Sequence, residues 1–107
     1  MIVVQVKIDD VKVRLINGYG PQEGKDDEAN AFMNKLDMEV KTAKLAGALI
    51  CIEMDANSKL GRNIIKDDPK EQSRNGKLLE ELIHNNDLVV VNSTDLCHGT
   101  ITRQRKL

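Results

Sequence analysis

Leu49-Ile50-Cys51-Ile52-Glu53-Met54-Asp55-Ala56-Asn57-Ser58 is the stretch from which the fold is read. An apolar run breaks abruptly into Asp-x-Asn, with Lys59-Leu60-Gly61-Arg62 following. Such a run ending in a turn reads as a mostly buried β-strand, over Ala48 to Met54, that opens into a loop. In an α/β sheet, the carboxyl end of a strand is where the scaffold presents polar groups to a ligand. Asp55 there can accept a proton or face a metal, and Asn57 can hold a phosphate or a water with its amide. Asp and Asn are also ordinary turn residues, because their side chains bond nearby backbone. The motif alone supports both readings.

Working outward, the N-terminal side begins with a hairpin. Ile2 to Ile8 and Val11 to Ile16 alternate in the β manner around Asp9-Asp10, a two-residue turn. Asn17-Gly18-Tyr19-Gly20-Pro21 then halts the second strand. Tyr19, the single tyrosine, stands at a strand end where a phenol can reach a ligand or simply pack with its hydroxyl wet. An acidic run, Glu23 to Glu28, leads into a helix that Asp26 or Asp27 can cap. Phe32, Met33, Leu36, Val40 and Ala43 recur at helical spacing, and Gly47 closes the helix.

On the C-terminal side, Asp55 to Ser73 is polar and aperiodic, the pattern of a mobile or functional loop. Ser73 or Asn75 can start a second helix with Leu78, Leu79, Leu82 and Ile83 on one side, running through His84 to Asn85-Asn86. Leu88-Val89-Val90-Val91 has no alternation and is expected as a strand covered on both sides. Thr100-Ile101-Thr102-Arg103 reads as one more short strand. Strands interleaved with helices give an α/β class, and the opening hairpin makes the sheet mixed. With strands at both ends and no closing helix, the chain reads as part of a larger sheet.

Bulk properties narrow the function classes. The chain has 107 residues, enough for one domain, and 16 basic against 17 acidic side chains leave a net charge of −1. That lacks the global basic field of a dedicated nucleic-acid binder. One Phe, one Tyr and no Trp mean the core rests on aliphatics and Met. The two cysteines make no disulfide framework: Cys51 is expected as a small buried hydrophobe and Cys97 in a polar loop, as suits a reducing, intracellular compartment. No run approaches membrane-spanning length, and the opening residues do not form a signal peptide.

Four short signals stand in order: Asn17-Gly18-Tyr19-Gly20-Pro21; the aliphatic strand into Asp55-Ala56-Asn57; Asn75-Gly76-x-Leu78-Leu79; and Leu88-Val89-Val90-Val91-Asn92-Ser93 followed by Thr100-Ile101-Thr102-Arg103. Together they resemble the endonuclease/exonuclease/phosphatase superfamily, in particular the endonuclease domain next to the reverse transcriptase of non-long-terminal-repeat retrotransposons. The resemblance runs from about Val3 to Arg105 and covers the central part of that domain. It implies a partial αββα sandwich, with mixed β-sheet layers and flanking helices, spanning residues 1–107 as a single partial domain. It further implies Mg²⁺-dependent hydrolysis of DNA, with Asp55 orienting and deprotonating a water, and Asn57 and Tyr19 contacting the phosphate. By the same resemblance, Gln22, Lys59, Arg62, Thr100, Thr102 and Arg103 would meet nucleic acid, with Arg105 and Lys106 nearby.

Departures from the family pattern are equally legible. Its metal-binding Glu and the Ser-Asp-His that supplies its histidine are not in this segment, and His84 and His98 do not match that histidine. Glu53-Met54 stands where small glycines precede the Asp, and Gln22 stands where an Asn often follows the proline. The expectation is therefore a fragment inactive by itself, prone to self-association through exposed sheet edges. Two other readings compete: a non-catalytic nucleic-acid-binding remnant, and an unrelated small α/β interaction module in which Asp55 and Asn57 are turn residues.

Overall fold

A computed structural model describes residues 1–62, 64, 71–91 and 94. The elements in chain order are β1 (Ile2–Ile8), β2 (Val11–Tyr19), α1 (Asp26–Leu45), β3 (Leu49–Asp55) and α2 (Arg74–Asn85). The chain divides into two compact units, Met1–Ser58 and Lys59–Leu107. This is a small mixed α/β structure with one three-stranded sheet and two helices among the described residues.

The first unit is a sheet in the order β1-β2-β3. β1 and β2 are antiparallel, with Ile8 opposite Val11, and Asp9 and Asp10 both have positive φ (48° and 68°). Positive φ at both turn positions is the two-residue geometry whose twist matches the strands it joins, and Asp tolerates it. β3 pairs with β2 in parallel, from Val13 opposite Leu49 to Tyr19 opposite Asp55. The parallel connection is made by α1, as a crossover requires.

Helix α1 lies on one side of the sheet. Ala29, Met33, Leu36, Val40 and Ala43 are its buried residues, at alternating steps of four and three, which is the repeat of a single helical stripe. Ile16, Leu36 and Val40 are almost fully enclosed. Arg14 of β2 reaches Glu39 of α1 at 3.1 Å, an ion pair that is only part-exposed. Gly47 has φ of 69° and follows the helix end, as expected.

Several expectations change. The segment Asn17-Gly18-Tyr19 does not halt β2 but belongs to it, because the ladder with β3 carries the strand on to Tyr19. Asp26 and Asp27 lie in the first turn of α1 rather than capping it; Lys25 occupies the cap position with no side-chain bond. Cys51 is exposed rather than buried, since β3 has only one covered side and its residues alternate exposed and half-buried. Residues 88–91 form no strand. Val89 and Val91 are exposed, and the sheet of described strands holds no partner whose ladder would keep this run extended. The expected strand Thr100 to Arg103 lies outside the described residues.

In the second unit, Ser73 caps α2 by accepting from the Gly76 N–H at 3.1 Å, the capping role expected of it. Leu79, Leu82 and Ile83 are buried with Asn75 and Gly76, while Leu78 is half-buried. At the far end, the Asn86 side chain donates to the Leu82 carbonyl at 2.9 Å and ends the helix where the sequence places its end.

Candidate phosphate-facing edge at the end of the parallel strand pair

Tyr19 and Asp55 are register partners at the carboxyl ends of β2 and β3. Parallel pairing gives both strands the same direction, so the two side chains come from one edge and one side of the sheet. The ladder runs one step further, as Gly20 N–H donates to the Asp55 carbonyl at 2.7 Å. Asn57 then turns back, its Nδ2 donating to the Gly20 carbonyl at 2.8 Å. Tyr19, Asp55 and Asn57 thus stand at the same end of the β2–β3 pair, whereas the expectation for the candidate residues is side chains around one cleft.

Gly20 is what lets the two chain segments meet. A Cβ there would overlap the Ala56 carbonyl, with the carbonyl carbon only 2.9 Å away. Asn57 has φ of 46°, a left-handed conformation that Asn adopts more readily than most residues. Its own N–H donates to Asp55 Oδ1 at 3.2 Å, closing an Asx turn. Asp55 is exposed, so its carboxylate keeps further acceptor capacity toward solvent. One amide hydrogen of Asn57 is used on Gly20, and the other is left for a second acceptor.

Tyr19 is 69% exposed, with its ring standing free of the core. It borders an open hollow of about 460 Å³ together with Gly20, Pro21, Gln22, Lys25, Glu28 and Phe32. Gln22 thus joins Tyr19, while Asp55 and Asn57 do not line the hollow. Lys25 is the residue sequence reasoning passed over here. Nothing in its composition marked it, because only the packing of the α1 start against the end of β2 brings it beside Tyr19.

Lys59 and Arg62 belong to the second unit, and both are exposed. The backbone of Lys59 is held there from two sides by one residue. Its N–H donates to Ser73 Oγ at 2.9 Å, and its carbonyl accepts from Ser73 N–H at 3.0 Å. Gln72 Nε2 donates to the Leu60 carbonyl at 3.0 Å and also to Glu80. The start of the aperiodic segment is therefore bonded to the head of α2. The signal that could have found this was Asn75-Gly76: a Cβ at Gly76 would overlap the Lys59 carbonyl, whose carbon lies 2.6 Å away.

The candidates Thr100, Thr102 and Arg103 lie outside the described residues, as do Arg105, Lys106 and His98. His84 is exposed on the last turn of α2, as expected of a surface histidine. No described helix is long and apolar enough to cross a membrane. Among the described residues no group of three or more His, Cys, Asp or Glu side chains comes together as a metal cradle. Mg²⁺ requires a near-octahedral shell of oxygens, usually with one or two carboxylates in it. Asp55 offers one carboxylate, engaged in a turn, so the residues described do not by themselves fit the ion. No protein-family model matches the chain, and neither a curated protein nor a solved structure matches it.

Proposed function

We propose that this chain is the central part of an endonuclease/exonuclease/phosphatase-type DNA endonuclease domain, of the retrotransposon kind, and is inactive in isolation. The observation that carries this reading is the register of Tyr19 with Asp55, with Asn57 folded back onto Gly20. Three residue types suited to a phosphodiester meet at one strand-end edge, in the order the resemblance requires. The three-stranded sheet with α1 on one side would be one half of the αββα sandwich.

In that role Asp55 orients a water and accepts its proton, while Tyr19 Oη and the second amide hydrogen of Asn57 bond to phosphate oxygens. General-base assistance of this kind contributes about 10²–10⁴-fold. The larger part of such a rate enhancement comes from electrostatic groups aimed at the developing charge, and each one lost costs about 10²–10³-fold. Mg²⁺ is implied by the resemblance alone. Exposed Gln22, Lys59 and Arg62 would add contacts to the DNA backbone, which position without reading sequence.

A second reading is favoured by one bond. The Asp55 carboxylate accepts from the Asn57 N–H, which is what a purely structural turn does. In that case the chain is an α/β interaction module, and its Asp-x-Asn serves only the backbone.

Two assays on the same chain separate these. Fluorescence anisotropy with a short labelled DNA duplex should give a Kd between about 10⁻⁶ and 10⁻⁴ M at physiological salt, tighter at low salt and weaker as salt rises. Complete absence of binding would favour the interaction module and overturn the nucleic-acid role. Supercoiled plasmid with Mg²⁺ should remain unnicked. Nicking that Asp55→Ala abolishes would make the chain a competent enzyme and end the claim of inactivity.

A further inference from the structure

Tyr19 offers the candidate edge more than a hydroxyl. The chain has two aromatic rings, and Phe32 is half-buried beside Gly18, which leaves Tyr19 as the one open to solvent. Alternation along β2 puts the Tyr19 ring on the side of the sheet away from α1, in line with the exposed aliphatics Val11 and Leu15. The Asp55 carboxylate emerges from that same side, one strand over. A flat π-face therefore stands next to the group that the endonuclease reading sets against a phosphate.

Charge decides what kind of DNA can use that face. Lys25 and Glu28 border the same hollow as Tyr19, and Glu23, Asp26 and Asp27 lie beside them in the chain. Carboxylates thus outnumber the ammonium at this end, and the whole chain carries a net charge of −1. Attraction between cations and phosphates is the term that holds a duplex without regard to sequence. Here that term is small. Stacking of a base on an aromatic side chain needs no cation, and it is worth about fivefold to about 150-fold in affinity per base. A continuous duplex cannot draw on it, because the faces of its bases are already covered by their neighbours. An unpaired base can swing onto the ring without first being unstacked and unpaired.

We propose that Tyr19 is a stacking platform for one unpaired base beside the phosphate bonded by Asn57. The substrate class of this edge is then single-stranded or frayed DNA rather than continuous duplex. The two ends of the side chain divide the task. Oη lies in the plane of the ring and bonds the phosphate, while the face of the ring takes the base. This rests on the endonuclease reading for the phosphate and adds the state of the strand that carries it.

Tyr19 is the single tyrosine and the chain has no Trp, so tyrosine emission reports this ring alone. A short DNA strand of mixed sequence should quench that emission as it binds, and the duplex of the same strand, at equal absorbance, should not. By anisotropy the strand should bind at least about fivefold tighter than the duplex. Tyr19→Ala should remove the margin, whereas Tyr19→Phe, which keeps the ring and loses the hydroxyl, should retain it. Equal affinity for strand and duplex overturns the stacking proposal and leaves the endonuclease reading standing. A margin that survives Tyr19→Ala, or binding of the strand without quenching, overturns it as well by putting the base elsewhere. Failure to bind either form overturns both readings. Should Tyr19→Ala fail to fold, quenching in the parent chain decides.

Discussion

Two glycines in this chain bring backbone to backbone closer than any side chain would permit, and they do so by different means. In the first unit, Gly20 lies against the Ala56 carbonyl at the end of a parallel ladder, and an Asn side chain locks the approach from the loop side. In the second, Gly76 sits in the first turn of α2 against the Lys59 carbonyl, and a Ser side chain locks it from the helix cap. The difference is in what holds each contact once it forms. Gly20 is backed by a run of sheet hydrogen bonds and one amide bond. Gly76 depends on Ser73, which bonds Lys59 and the helix head at once. The first contact is an extension of the sheet, and the second is a clamp.

The sharpest way to break this comparison is to add one methyl group to each site. Gly76→Ala forces a Cβ into the Lys59 carbonyl, where neither the helix backbone nor the clamped peptide can move without losing its bonds. A loss of about 3 kcal/mol or more is expected in urea denaturation followed by circular dichroism. Gly20→Ala meets a carbonyl carbon slightly further away, on a loop that can shift, and should cost about 2 kcal/mol. If Gly20→Ala proved the more damaging, the clamp would not be the stiffer of the two.

Ser73→Ala comes next in size. It removes the cap of α2 and leaves the Lys59 N–H without its acceptor, for an expected loss of about 1–2 kcal/mol. Amide exchange separates the two parts of that loss. The Lys59 amide should be protected in the parent chain and exchange freely in the variant, whereas the Gly20 amide should be unaffected. The smallest effect is expected from Asn57→Gly. Glycine relieves the left-handed φ but gives up the bond to the Gly20 carbonyl, and the net change should stay within about 1 kcal/mol. A larger loss would mean that the Asn57 amide, rather than the ladder, holds the Gly20 contact.

Much of the local structure is legible in residue order. Asp9-Asp10 between alternating runs specifies the hairpin, the Ala29-to-Ala43 stripe specifies α1, and Ser73 ahead of Asn75-Gly76 specifies the head of α2. These signals are short-range, so a few neighbouring residues suffice to fix them. The candidate edge was legible in part: Tyr19, Asp55 and Asn57 stood out as polar groups past apolar strands, while Lys25 did not. The errors share a cause. An aliphatic run looks the same whether one side or both are covered, so Cys51 and residues 88–91 read as enclosed in the sequence, whereas Cys51, Val89 and Val91 are exposed in the structure.

The sequence by itself determined the element types, the turn and caps that separate them, and the residues able to stand at strand ends. Tertiary structure alone decided which residues share a side. It put Tyr19 opposite Asp55 by setting the parallel register, and it used Gly20 and Gly76 as points of backbone contact. It also turned the apolar side of the hairpin away from α1. Each of these depends on pairing between segments far apart in the chain, and local propensity carries no information about the partner.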